Sequence, residues 1–105
     1  MITTSILAAA IMSTWQPVTI SYYDSGYKTA DGTRFHNSGK WAATYLAPLG
    51  AKIEVKYGNV TQILTVRDRT AKRFGHRLDL PRRTWERFGA STSRGLLRGS
   101  WRRVK

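Results

Sequence analysis

Cysteine is absent from all 105 residues, which excludes disulfides, thiolate metal sites and a lipidated cysteine anchor. Acid is scarce: six Asp and Glu side chains stand against eighteen Lys and Arg, a formal net charge of +12. Histidine is scarcer still, and His36 and His76 lie too far apart to match a metal-ligand spacing, so neither a structural zinc nor any other cofactor is expected. No apolar run is long enough to span a bilayer, which takes about 20 residues; the longest early one, Ile6 to Met12, has seven. Seven residues do suit the core of a short signal peptide, yet no Lys or Arg precedes them and Ala8-Ala9-Ala10 falls inside the run instead of after it. Residues 1–16 therefore read either as a degenerate export signal or as an apolar segment that packs on the domain. Internal repeats, linkers and low-complexity tracts are also missing, so residues 17–105 are expected to form one domain.

The hydrophobic fraction of 41% and aromatic fraction of 11% are those of a globular chain, so disorder is excluded despite the charge. That charge is uneven. Residues 1–66 carry five basic and three acidic side chains, a net of +2, whereas residues 67–105 carry thirteen and three, a net of +10. Such asymmetry points to an anionic polymer as partner, whether nucleic acid, anionic lipid or an acidic wall polymer.

Patterning predicts a series of short strands. "PVTISYYD" (17–24) is β-branched and aromatic, "KIEVKYG" (52–58) alternates with period two, and Gly58-Asn59 marks a hairpin turn into "VTQILTVRD" (60–68). Between the first two runs lies a long Gly/Ser/Thr-rich loop with a turn at Asp31-Gly32, followed by the apolar segment "WAATYLAPLG" (41–50). Residues 77–80 read as a short extended piece. "LPRRTWERFG" then predicts a helix of about two turns with Pro81 at its first position, Gly89 past its end, and Leu80, Thr84, Trp85 and Phe88 on its apolar face. "GLLRGSWRRVK" (95–105) reads as a closing strand broken by Gly99. Many short strands with one small helix predict an all-β barrel, with Trp41, Trp85 and Trp101 as core anchors.

Asp79 stands out because it is an acid placed between two leucines. On a strand, Leu78 and Leu80 face the core while Asp79 faces the other way. Desolvation there, with Asp68 as a neighbour, raises a carboxyl pKa; the arginines at 67, 69, 77, 82 and 83 act in the opposite sense. A structural alternative is that Asp79 caps the following helix. For Asp68 the alternatives are a surface pair with Arg67 or Arg69 and a turn residue. Tyr22, Tyr23 and Tyr27 are aromatics of the first strand and the long loop, core residues by default. The basic and aromatic interleaving of "PRRTWERFG" and "RGSWRRVK" is a pattern also found in single-strand nucleic-acid binders, so an intracellular nucleic-acid-binding barrel stays open as an alternative.

The order of "SYYDSGYKTADGTRFH", "AATYLAPLG" and "VRDRTAKRFGHRLDLPRRTWERFGA" resembles the double-psi β-barrel domain of rare lipoprotein A-like septal lytic transglycosylases, shared with expansins, over about residues 18–105. The resemblance implies a six-stranded double-psi β-barrel with one or two short helices and a shallow polysaccharide groove. It places the family's proposed catalytic acid on Asp79 and the aspartate of its "DRGP" motif on Asp68, with Thr70 and Ala71 where that motif has glycine and proline. The family's catalytic histidine falls on Thr44, its early-loop acids fall near Thr33 and His36, and the first-strand threonine of expansins falls on Ser21. Asp79 and Asp68 are thus the expected catalytic residues, and Ser21, Tyr22, Tyr23, Tyr27 and Thr44 the expected substrate-binding ones. The implied function is engagement of peptidoglycan or a related wall polysaccharide, with or without cleavage, by a monomer that is secreted, periplasmic or attached to the envelope.

Overall fold

The computed structural model describes residues 14–104. Most of the segment read as an export signal lies outside these residues. Six strands close a barrel: β1 (Gln16–Tyr23), β2 (Trp41–Ala43), β3 (Lys52–Tyr57), β4 (Val60–Asp68), β5 (Leu78–Pro81) and β6 (Leu97–Arg103). Around the barrel they run in the order β1-β5-β2-β4-β3-β6. The pairs β1·β5 and β2·β4 are parallel, and the other four are antiparallel. One helix, α1 (Arg82–Glu86), and two lone 3-10 turns complete the described chain. The all-β barrel with a short helix expected from the patterning is the architecture observed, and it has the six strands that the resemblance implied.

Alternation drives the closure. Val18 and Ile20 on β1, Ile53 and Val55 on β3, Leu64 and Val66 on β4, and Leu78 and Leu80 on β5 all point inward and are buried. The residues between them point outward, as a period of two requires. At 25 cal/mol per Å², each fully buried aliphatic chain stabilises the fold by roughly 1.5–3 kcal/mol, so inside-out inversion of any strand is heavily disfavoured. Gly58 opens the β3–β4 hairpin with φ of 58°, the left-handed backbone that its two-residue turn demands.

Local expectations need correction at Gly99, Pro81 and Trp41. Gly99 does not break the closing strand; it lies within β6, where an added Cβ would sit 2.4 Å from the Lys56 carbonyl oxygen. It is glycine because β3 and β6 approach closely there. Pro81 ends β5 and caps α1 instead of opening it, and α1 is five residues long. The apolar segment at 41–50 contributes only a three-residue strand, since Thr44 onward turns away to meet Gly75. Trp85 is a barrel anchor as expected and Trp101 packs against the core, but Trp41 is buried outside the barrel, beneath the loop of residues 24–40.

Candidate functional site

Strand register sets the site. Ser21 pairs with Asp79, Asp79 with Ala43, and Ala43 with Asp68, so these four residues form one row across β1, β5, β2 and β4. Asp79 and Asp68 are two strands apart, about 10 Å across the sheet, with only the methyl side chain of Ala43 between them. Inward-facing Leu78 and Leu80 flank Asp79 and fix it on the outer face.

The two carboxylates have different partners. Ser21 Oγ donates to Asp79 Oδ1 at 3.0 Å. Asp68 Oδ1 accepts from the Ala30 and Arg69 amides at 2.8 and 2.9 Å, and Oδ2 accepts from the Tyr23 hydroxyl at 3.0 Å. Trp41 Nε1 donates to that same hydroxyl at 2.8 Å, so tyrosine relays the position of the indole to the carboxylate. Phe35 packs on Tyr23 at 5.3 Å between ring centroids, and His36 meets Trp41 edge-on at 4.8 Å. The long loop thereby walls one side of the row.

Burial shifts the ionisation of these groups. Desolvation pushes the Asp79 carboxyl above its ordinary value of 3.8; the negative charge of Asp68 adds to this, while the Ser21 hydrogen bond and the Arg77 cation act against it. The contest between desolvation and arginines that the sequence left open therefore falls to desolvation. Of the five arginines, Arg67 is bound to Asp31 at 3.0 Å, and Arg69 donates to the carbonyls of Thr44 and Ala47. Burial, with help from both carboxylates, raises the Tyr23 phenol far above its usual range, so it stays a hydrogen-bond donor. Asp31 is held well below the carboxylate range, first by the Thr29 hydroxyl and also by Thr33 and Arg67.

The row thus assembles Asp79, Asp68, Ser21 and Tyr23 from the expected site residues. Three others lie elsewhere. Tyr22 turns toward the core, its ring 5.0 Å from Trp85 and its hydroxyl donating to the Thr92 carbonyl. Tyr27 is 77% exposed on the loop. Thr44 is 0% exposed, its hydroxyl donating to the Gly75 carbonyl and accepting from the Leu46 amide. Asp79 makes no cap for α1, whose N-terminus has no side-chain acceptor. Trp41 was missed as a site residue, although its parity with Ala43, one residue either side of core-facing Ala42, carries the signal.

Fold and site together define a small closed β-barrel with a half-buried acid on its outer wall. Among solved structures, the Streptomyces papain inhibitor is similar: the TM-score is 0.73 and the identity 22%, with 90% of this chain and 97% of that one covered. No protein-family model matches the chain, and no curated protein matches it. These findings correct the placement in the rare lipoprotein A-like family: the six-stranded barrel stands, but the similarity found is to a papain inhibitor. The physical reason lies in the motifs themselves. "LDL" is an in-out-in strand and "RDR" closes β4 beside a loop, both dictated by barrel geometry and so too general to carry a family. Among the described residues no helix is long and apolar enough to cross a membrane.

Proposed function

We propose that the barrel engages a polysaccharide, with peptidoglycan or a related wall glycan as the polymer, along the outer-face row centred on Asp79. The observation that carries this reading is the half-buried Asp79 carboxyl, displaced toward its protonated form and aligned with Ser21 and Asp68. A carboxylic acid that keeps its proton is what a glycosidic oxygen needs from a general acid. In a cleavage step, Asp79 gives its proton to the bridging oxygen as the bond from C1 to that oxygen breaks. The sugar's own 6-hydroxyl oxygen then bonds to C1, and its proton returns to Asp79, which closes an anhydro ring and restores the acid. The Ser21 and Tyr23 hydroxyls give their protons to Asp79 and Asp68, so they offer oxygen acceptors to sugar hydroxyls beside the acid. Such a protein works outside the cytoplasm, at the envelope.

Purified denuded sacculi test the reading. Wild-type protein is expected to be retained by sacculi, and release of anhydro-muropeptides is expected to disappear in Asp79→Asn. Retention without release defines a non-hydrolytic binder, and absence of retention overturns the reading. A second reading, a protein partner, is favoured by the similarity to the Streptomyces papain inhibitor. It predicts inhibition of papain by this chain in a standard peptide-hydrolysis assay.

A further inference from the structure

Below the Ser21–Asp79 pair the outer face of β1 continues to Thr19, two residues away and about 7 Å along the strand. Thr19 pairs with Arg98 on β6. Together they border a pocket of about 490 Å³ whose other lining residues are Tyr57, Arg77, Arg94 and Leu96. Three arginines, Arg77, Arg94 and Arg98, line the pocket and no acid does. Neither of the two ion pairs formed among the described residues, Arg67–Asp31 and Arg102–Glu54, involves them. Arg77 lies with its guanidinium carbon 4.6 Å from the centroid of the Phe74 ring, and its Nε is buried without an acceptor.

Three like charges around one cavity repel each other, and a buried donor without a partner is destabilising. An oxyanion in the pocket offsets that repulsion, because planar guanidinium groups present paired N–H donors that match carboxylate and phosphate oxygens. The pocket also adjoins the acid: the Arg77 cation acts on the Asp79 carboxyl. Thr19 and Arg98 further line a second pocket of about 560 Å³ with His76 and Trp101, so the track extends past the arginines.

We infer that the Arg77–Arg94–Arg98 pocket is an anion subsite that binds a carboxylate or phosphate group carried by the glycan lying along β1. The identity of the polymer rests on the polysaccharide reading above; the anion site rests on the pocket itself. It gives the basic half of the chain a specific task, the selection of charged over neutral glycans.

The test compares binding of fluorescent polygalacturonate oligomers, their neutral methyl esters, phosphorylated dextran oligomers and an oligothymidylate of matched charge. Wild-type protein is expected to bind one of the charged glycans at least tenfold more tightly than the esters, and which of the two it prefers tells carboxylate from phosphate. Arg94→Gln/Arg98→Gln, two exposed positions, should lose that tenfold preference while melting like wild type. Arg98→Glu should lose more, and the salt dependence of binding should flatten in both variants. Equal binding of acid and ester, or no loss in the double variant, overturns the inference. So does tighter binding of oligothymidylate than of either glycan, which makes the site a nucleic-acid one. Arginine-dependent binding of charged glycans without retention on sacculi would keep this subsite and remove the wall-glycan reading; retention on sacculi with no arginine dependence would do the reverse.

Discussion

Replacing Asp68 by alanine tests whether this residue builds the site or merely faces it. The substitution removes the acceptors of three hydrogen bonds, from the Ala30 amide, the Arg69 amide and the Tyr23 hydroxyl, all between 2.8 and 3.0 Å. Bonds to a charged group contribute about 1.5–3 kcal/mol, and those here are partly exposed, so about 1 kcal/mol each gives a destabilisation of about 3 kcal/mol. For a domain of this size the melting temperature then falls by roughly 12–24 °C. The loss has a local signature as well. Ala30 sits in the loop of residues 24–40, and its amide is tied across to β4 only through Asp68, so its hydrogen exchange should accelerate more than that of the β3–β4 amides. Asp68→Asn keeps one oxygen for the two amides and costs about 1 kcal/mol, because a donor group now faces the Tyr23 hydroxyl. Urea unfolding followed by tryptophan fluorescence reads the first quantity and exchange mass spectrometry the second. A destabilisation below 1 kcal/mol for Asp68→Ala, with Ala30 exchange unchanged, would refute the view that Asp68 anchors the loop to the barrel.

Two further outcomes follow from the same geometry. Asp79 has a folded pKa raised above its unfolded value, so the folded state holds a proton that the unfolded chain releases. Its contribution to stability is greatest below pH 3.8 and is lost as pH rises through the folded value. Asp79→Asn should therefore flatten the decline in stability across this acidic window and be more stable than wild type relative to their common level at low pH; parallel pH profiles for the two proteins would contradict the raised pKa. Gly99→Ala should destabilise by about 3 kcal/mol, since the new methyl meets the Lys56 carbonyl oxygen at 2.4 Å and Ile20 Cδ1 at 2.9 Å. An unchanged denaturation midpoint would show that β3 and β6 can separate without cost.

Strands β3 and β4 were legible in the sequence to within one residue, because alternation over six or more positions leaves one arrangement that buries Ile53, Val55, Leu64 and Val66 together. Strand β2 was not. Its three residues are too few to show a period, and they are held as a strand by β4 and β5 on either side. The same limit concealed Trp41: aromatic residues favour cores, and only the position of β2 in the barrel shows that this ring is buried on the outer face. Asp79 was legible as an outward-facing acid from its two leucines. Its relation to Asp68 was not, since ten residues, most of them loop and turn, separate them in the chain while a single intervening strand separates them in the barrel. Family membership read from short motifs failed for a related reason: the motifs encode strand parity, which many barrels share.

By itself, then, the sequence determined the β class, the absence of disulfides and thiolate ligands, the concentration of positive charge after residue 66, and the parity that turns Asp79 away from the core. These are local or compositional properties, set by side-chain chemistry and a period of two. Tertiary structure alone decided that Ser21, Asp79, Ala43 and Asp68 share one row, that desolvation outweighs the arginines at Asp79, and that Arg77, Arg94 and Arg98 converge on one pocket. Each depends on which strands become neighbours when the barrel closes, a long-range outcome that is written in no single segment of the chain.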